Sequence, residues 1–311
     1  MKVLVTTSSF SQQDPAPKAA LTGAGFEIYE NPFKRKLTET EVLELLATHK
    51  PVGLFAGVEP LTAKVLEASS SHLKVISRCG IGLDTVDLDA AKRLGIKVFN
   101  TPDAPSQAVA ELTIGLMLAV LRRIAEADAA VRRGDWKATM GRLLGARTVG
   151  VVGLGRIGAR VAGLCAAFGS PVLAHEPRPD ALLPAGTKKV SLEELLKNSD
   201  IVTLHVPMTP ENNHLINAGR LASMKPGSVL INASRGGLVD EAALLEALKQ
   251  GRLAGAALDT FENEPYKGPL RDLPQVVLTP HMGSAAEECR SRMEREAAEN
   301  LITGLRALGV I

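Results

Sequence analysis

The chain is poor in cysteine and in aromatic residues. Its 311 residues include three cysteines, one tryptophan and two tyrosines. Cys79, Cys165 and Cys289 are far apart and form no CxxC pair, which argues against a disulfide framework and against a metal site. We therefore expect each thiol to be a small buried side chain.

The chain also lacks an excess of charge and any long hydrophobic run. It has 36 basic and 34 acidic residues, and its basic clusters have no aromatic neighbours on which bases could stack. Nucleic acid is therefore not expected as a partner. The apolar run at the N-terminus is too short for a secretory signal, and the most apolar later stretch, 112–121, is too short to span a membrane. These absences predict a cytoplasmic protein without a membrane partner.

Short apolar runs alternate with helical stretches along the chain, which is typical of a parallel sheet covered by helices. One series ends near Phe99 and a second begins at Thr148. Between them the pattern breaks at Thr101–Pro105, just before a connecting helix expected at 106–123. A long amphipathic helix is expected at 285–308. The sequence therefore predicts an α/β protein with two doubly wound parallel-sheet domains.

A glycine-rich loop lies between the apolar strand that starts the second series and a helix expected at 156–168. Gly153 suits a tight turn, Gly155 lets the backbone approach a phosphate, and Gly158 lets the helix pack closely on the strand. The acid expected about 20 residues later is Glu176. A carboxylate there binds ribose hydroxyls and repels a 2′-phosphate, so the sequence predicts NAD rather than NADP as cofactor. Arg178 weakens that preference.

Candidate catalytic side chains follow strands in the second half of the chain, and ligands bind at the carboxyl ends of such strands. Arg235 follows the apolar run 229–231. Its guanidinium can hold a carboxylate through two parallel hydrogen bonds. His281 follows the strand expected at 276–279 and is the candidate acid/base, with Glu264 as a candidate partner that fixes its tautomer.

Six segments together closely resemble the D-isomer-specific 2-hydroxyacid dehydrogenases, and the resemblance covers essentially the whole chain. The segments are 77–84, 108–113, 153–158, 205–209, 232–239 and 279–281. The resemblance implies a Rossmann cofactor domain, residues 101–282, inserted in a flavodoxin-like substrate domain, residues 1–100 and 283–311. It also implies a homodimer formed through helix 106–123 and the arm 125–144, which contains Trp136.

The resemblance further implies roles for individual residues. Arg235, Glu264 and His281 are the implied catalytic residues. Arg78, Gly80 and Ile81, together with Arg235 and His281, are implied to bind a small 2-hydroxy or 2-keto acid. The implied cofactor-binding residues are Thr113, Gly153, Gly155, Arg156, Ile157, Gly158, Glu176, His205, Val206, Pro207, Thr209, Ala233, Ser234, Asp259 and Gly283.

Within the family, the chain most resembles the 3-phosphoglycerate dehydrogenases of serine biosynthesis, in a short form without a regulatory domain. The loop after the third strand carries Glu59, which would repel a phosphate, although Arg35 and Arg78 could offset it. The preferred substrate pair is thus 3-phosphoglycerate and 3-phosphohydroxypyruvate, and the alternative is a glyoxylate/hydroxypyruvate reductase. More distant alternatives are a phosphite dehydrogenase and an NAD-sensing scaffold similar to transcriptional corepressors.

Overall fold

The computed structural model describes residues 1–311. The chain divides into two compact units, one comprising Met1–Pro105 with Ser284–Ile311 and the other comprising Ser106–Gly283. The first unit is therefore built from two separate stretches of chain. None of the helices combines the length and the apolar character needed to cross a membrane.

Strands and helices alternate through both units. The strands are β1 (Lys2–Val5), β2 (Glu27–Glu30), β3 (Gly53–Ala56), β4 (Val75–Arg78), β5 (Lys97–Asn100), β6 (Val149–Val152), β7 (Val172–His175), β8 (Thr187–Lys189), β9 (Ile201–Leu204), β10 (Ser228–Asn232), β11 (Leu253–Leu258) and β12 (Val276–Leu278). The helices are α1 (Ala16–Gly23), α2 (Glu39–His49), α3 (Ala63–Ser69), α4 (Leu88–Arg93), α5 (Pro105–Leu121), α6 (Ile124–Arg132), α7 (Arg156–Ala167), α8 (Leu192–Asn198), α9 (Ala218–Ser223), α10 (Glu241–Lys249) and α11 (Glu287–Ala307).

The first unit contains a parallel sheet in the order β2-β1-β3-β4-β5. This is the flavodoxin-like doubly wound order. Helix α11 packs on β3, β4 and β5 and on α1. Its residues at four-residue intervals, Cys289, Met293, Ala297, Leu301 and Leu305, are all buried, as their spacing predicts. Helix α11 thus covers one face of this sheet.

The second unit contains a parallel sheet in the order β12-β11-β10-β9-β6-β7-β8. Strands β6, β9 and β10 are buried along their whole length, as expected for central strands covered on both faces. The strand order reverses between β6 and β9, so their carboxyl ends form the crevice where ligands bind in doubly wound sheets. Both sheets have the architecture that the sequence predicts.

The sequence pattern misses two elements of the second unit. Strand β8 is a short edge strand with polar side chains, so it has no apolar alternation to reveal it. Helix α6 buries none of its residues and is separated from α5 by Arg122 and Arg123, and the φ of Arg123, 54°, is left-handed. The cysteines match expectation, since all three are buried and free, and burial raises the pKa of Cys79 to about 12.

Candidate active site

The glycine-rich loop joins the end of β6 to the start of α7. A Cβ on Gly153, whose φ is 93°, would lie 2.6 Å from the carbonyl oxygen of His205, and one on Gly158 would lie 1.9 Å from that of Gly153. Gly155 differs, because no atom lies within 4 Å of its Cβ position and no side chain caps α7. A helix N-terminus attracts anions, so this open space suits a pyrophosphate that any side chain would displace.

Glu176 lies directly after β7 and beside this loop. Its carboxylate accepts hydrogen bonds from the Leu154 amide at 2.9 Å and from the backbone and guanidinium of Arg178 at 2.9 to 3.1 Å. The Arg178 guanidinium is the main reason why the pKa of Glu176 falls to about 2. Glu176 is therefore ionised at neutral pH, at the position where a ribose is expected.

The loops after β9 and β10 are bonded to each other. The Ser234 hydroxyl donates to the Val206 carbonyl oxygen at 2.8 Å. His205 Nε2 lies 2.9 Å from the Thr203 hydroxyl, and burial lowers the pKa of His205 to about 3, so its imidazole is neutral at physiological pH. The other candidates at this edge lie at the start of α7 and in the loops after β9 and β10, and they are Arg156, Ile157, Pro207, Thr209 and Ala233.

Thr113 is also among the residues expected to line a cofactor site. It lies on α5, is 0% exposed, and donates its hydroxyl to the Val109 carbonyl oxygen at 2.7 Å. Its role at the cofactor site stays a prediction. Val109, whose carbonyl oxygen accepts this bond, packs close to the candidate residue Gly283. A Cβ added to Gly283 would lie 3.2 Å from the Val109 side chain.

His281 and Glu264 form the contact that the sequence suggests. Nδ1 of His281 lies 2.9 Å and 3.1 Å from the two carboxylate oxygens of Glu264. Because a carboxylate only accepts hydrogen bonds, Nδ1 carries the proton and Nε2 is left as the acceptor of a neutral imidazole. His281 has a φ of 52°, which is uncommon for a residue other than glycine.

Asp259 holds the backbone on the C-terminal side of His281. It is buried at the end of β11, and its oxygens accept hydrogen bonds from the Thr279 hydroxyl at 2.6 Å and from the amides of Met282 and Gly283 at 2.9 Å. These bonds fix the loop after β12 on which His281 lies. The Gly283 bond leaves one lone pair of Oδ2 for a further donor, so Asp259 can also bind an amide group.

Arg235 follows β10, which is hydrogen-bonded to β11, the strand that precedes Asp259 and Glu264. The Asn232 side chain donates to the Arg235 carbonyl oxygen at 2.8 Å and accepts from the Ser234 amide at 3.1 Å. Asn232 and Thr279 are positioning residues that the sequence argument missed, because neither carries chemistry of its own. The signal for Asn232 was its place in the segment 232–239.

The first unit places Arg78, Gly80 and Ile81 together at the carboxyl end of β4. The Gly80 amide donates to the Thr101 hydroxyl at 2.8 Å, and the Asn100 side chain donates to the Ile81 carbonyl oxygen at 2.7 Å. The Gly80 amide is thus paired within the protein, and the binding of a substrate carboxylate by Gly80 and Ile81 stays a prediction.

Glu59 is buried at the carboxyl edge of the same sheet, after β3. Its carboxyl group accepts a hydrogen bond from the Thr6 hydroxyl and one from the Gly57 amide at 3.2 Å. Burial raises the pKa of Glu59 above its usual value. The guanidinium of Arg35, which could offset the charge of Glu59, binds Glu41 on α2 at 2.6 and 3.0 Å.

Residues 114–283 match the family model described as "D-isomer specific 2-hydroxyacid dehydrogenase, NAD binding domain". The chain belongs to this family. Its second unit, which contains the glycine-rich loop and Glu176, matches the NAD-binding domain of this family. The open space at Gly155, the ionised Glu176 and the remaining lone pair of Asp259 fit the pyrophosphate, ribose and carboxamide of NAD.

Two relatives that are named as different enzymes have the same sequence identity to the chain. D-3-phosphoglycerate dehydrogenase of Methanocaldococcus jannaschii is 42% identical over 286 residues, 90% of this chain and 54% of that enzyme. Hydroxypyruvate reductase of Thermotoga maritima is 42% identical over 252 residues, 79% of this chain and 81% of that enzyme. The chain thus spans about half the length of the phosphoglycerate dehydrogenase.

Among solved structures, D-lactate dehydrogenase of Aquifex aeolicus, complexed with NAD and lactic acid, superposes with a TM-score of 0.84. It is 30% identical, and the match covers 99% of this chain and 96% of that one. The D-2-hydroxyacid dehydrogenase fold therefore extends over both units.

Proposed function

We propose that the protein is a cytoplasmic, NAD-dependent oxidoreductase that transfers a hydride between nicotinamide and C2 of a small D-2-hydroxy acid. The observation that carries the proposal is the His281–Glu264 pair, which shares one sheet edge with Arg235 and the glycine-rich loop. The first unit would be the substrate domain and the second the cofactor domain. Family membership supports this reaction, and the named relatives are dehydrogenases and a reductase.

In the proposed reaction each residue has a separate task. Bound NAD supplies the hydride acceptor. Nε2 of His281 takes the proton of the C2 hydroxyl, and the Glu264 carboxylate stabilises the imidazolium that results. Arg235 holds the substrate carboxylate through two hydrogen bonds and so orients C2. Reduction of the keto acid uses the same groups in the opposite direction.

For the substrate, the geometry favours an unphosphorylated 2-keto acid such as glyoxylate or hydroxypyruvate. A phosphate dianion needs cations, and of the two arginines that the sequence offers, Arg35 is already paired with Glu41 while Arg78 lies at the end of β4. The second candidate is 3-phosphohydroxypyruvate, which the identity to phosphoglycerate dehydrogenases supports. It would place the enzyme in serine biosynthesis.

The test is the rate of NADH oxidation with glyoxylate, hydroxypyruvate and 3-phosphohydroxypyruvate, compared as kcat/KM. We expect turnover with all three and a preference of at least about tenfold, or 1.4 kcal/mol, for an unphosphorylated acid. A preference for the phosphorylated acid would select the second candidate. Absence of turnover with every 2-keto acid would contradict the proposed reaction and favour an NAD-sensing scaffold.

We also propose that the protein forms a homodimer through α6 and the segment that follows it. Large apolar side chains in this region are exposed, and they are Ile124, Val131, Trp136, Met140 and Leu143. Large apolar side chains exposed together in one region usually mark interfaces. A second copy of the chain would cover them.

A further inference from the structure

Glu176 uses the acceptor positions of both of its oxygens. Oε1 accepts from the Arg178 amide at 3.1 Å and from Nε of its guanidinium at 2.9 Å. Oε2 accepts from the Leu154 amide at 2.9 Å and from Nη2 of Arg178 at 3.1 Å. A carboxylate has about four lone-pair sites, so no site is left for a ribose hydroxyl.

The guanidinium of Arg178 donates one hydrogen bond to each oxygen of Glu176. The 2′ and 3′ hydroxyls of a ribose are also two adjacent donors, and they bind an acid at this position in dinucleotide folds. The Arg178 side chain is 59% exposed, whereas that of Glu176 is 6% exposed and also bound by Leu154. The arginine is therefore the partner that can be displaced.

We infer that Arg178 competes with the adenosine ribose of the dinucleotide for Glu176, an inference that rests on the NAD site of the proposed function. Cofactor binding then moves the guanidinium from the carboxylate into solvent. Because the mostly exposed guanidinium of Arg178 is screened by solvent, this competition lowers the affinity for NADH only about two- to fivefold. The displaced guanidinium is a cation near the ribose, so it also reduces discrimination against a 2′-phosphate.

Isothermal titration calorimetry with NADH and with NADPH, without any keto acid, tests the inference. In Arg178→Ala one acceptor site on each oxygen becomes available, while the backbone amide still holds Glu176. We expect this variant to bind NADH about two- to fivefold more tightly than the wild type and NADPH at least about twofold more weakly. The matched control is Lys249→Gln, which breaks the exposed Lys249–Glu246 pair at the end of α10 and should change neither affinity.

Opposite signs for the two dinucleotides would not result from general damage to the fold. If Arg178→Ala and Arg178→Met both bind NADH as the wild type does or more weakly, the guanidinium does not compete and the inference is wrong. A wild type that binds NADH but turns over no keto acid would overturn the proposed reaction. That outcome would leave the measured competition for Glu176 intact.

Discussion

At the scale of single residues, two histidines of the second unit have the same local structure but only one lies beside the other candidate catalytic groups. His281 and His214 both have left-handed backbones, with φ of 52° and 48°, and both bind a glutamate, at 2.9 Å and 2.8 Å. Only the backbone next to His281 is held by Asp259, which accepts hydrogen bonds from the Met282 and Gly283 amides. Comparison of the two histidines therefore tests whether a histidine–carboxylate contact alone is enough for catalysis.

We expect His281→Ala to lower kcat by about 10²–10⁴-fold, the usual contribution of a positioned acid/base, with little change in NADH affinity. His214→Ala should keep kcat within about twofold, since exposed pairs contribute little. Steady-state kinetics with the preferred keto acid and calorimetry with NADH measure both effects. Near-normal turnover of His281→Ala would remove it from the mechanism.

The buried Glu59 should make stability depend on pH. Burial raises its pKa in the folded state above the value of about 4.5 in the unfolded chain, so the stability linked to the protonated group is fully present below pH 4.5. That stability is lost as the pH rises through the folded-state pKa. Glu59→Gln does not titrate, so its Tm should exceed that of the wild type increasingly as the pH rises from 4.5 to 8, by an amount on the order of a few °C.

Glu41→Gln is the control, because its effect on stability should depend on pH in the opposite direction. Arg35 lowers the pKa of Glu41 to about 2, so Glu41 stabilises the fold above pH 4.5 and that effect disappears as the pH falls through 2. Its substitution should lower Tm at neutral pH and have less effect in acid. Parallel pH profiles for the two variants, measured by thermal unfolding, would contradict the assignment for Glu59.

Sequence reasoning located single residues best where a motif fixes the backbone. Glu176 follows β7 and contacts the glycine-rich loop, and the His281–Glu264 contact is present. Sequence reasoning failed where a side chain has several possible partners, because local sequence determines neither rotamers nor strand register. The bond between Thr6 and Glu59 joins residues far apart in the chain, and Arg35, considered as a phosphate ligand, is bound to Glu41.

At the scale of elements, two glycines at helix α7 have room for a side chain, one just before the helix and one within it. Gly155 precedes the helix at the proposed pyrophosphate site, and Gly163 lies within it; neither has an atom within 4 Å of its Cβ position. Gly155 has an extended backbone, with φ −68° and ψ −169°, that any residue can adopt. Both positions can therefore accept a side chain without a steric clash, and only Gly155 is expected to contact the cofactor.

Gly155→Val should leave Tm nearly unchanged and weaken NADH binding at least about tenfold, because the side chain occupies the open space before the helix. Gly163→Ala should raise stability by about 0.5–1 kcal/mol without changing NADH affinity. Thermal unfolding measures the stability of both variants, and calorimetry measures their affinity for NADH. Tight NADH binding by Gly155→Val would place the pyrophosphate elsewhere.

The elements that could be predicted are those whose apolar periodicity faces a core. Helix α11 was expected at 285–308 and covers Glu287–Ala307, and α7 was expected at 156–168 and covers Arg156–Ala167. Strand β8 and helix α6 were missed because β8 lies at a polar edge and α6 buries none of its residues within this chain. Periodicity reports burial, so an element without burial gives no signal.

At the scale of the whole molecule, the exposed apolar side chains around α6 make the oligomeric state a direct test. Trp136 is 89% exposed, and Leu182 is 90% exposed in a different segment of the same unit. Trp136→Asp should shift the protein from dimer to monomer in multi-angle light scattering, because it places a charge in an apolar interface. Leu182→Asp is the matched control and should leave the mass unchanged. A monomeric wild type would contradict the dimer proposal.

The position of α11 has a consequence for how the protein is made. This helix covers one face of the β3-β4-β5 part of the first sheet, yet residues 106–283 are synthesised between that sheet and the helix. At about 5–20 residues per second, translation of this stretch lasts roughly 10 to 35 s. During that time the apolar face has no partner from its own chain, so it is the segment where a ribosome-associated chaperone would bind.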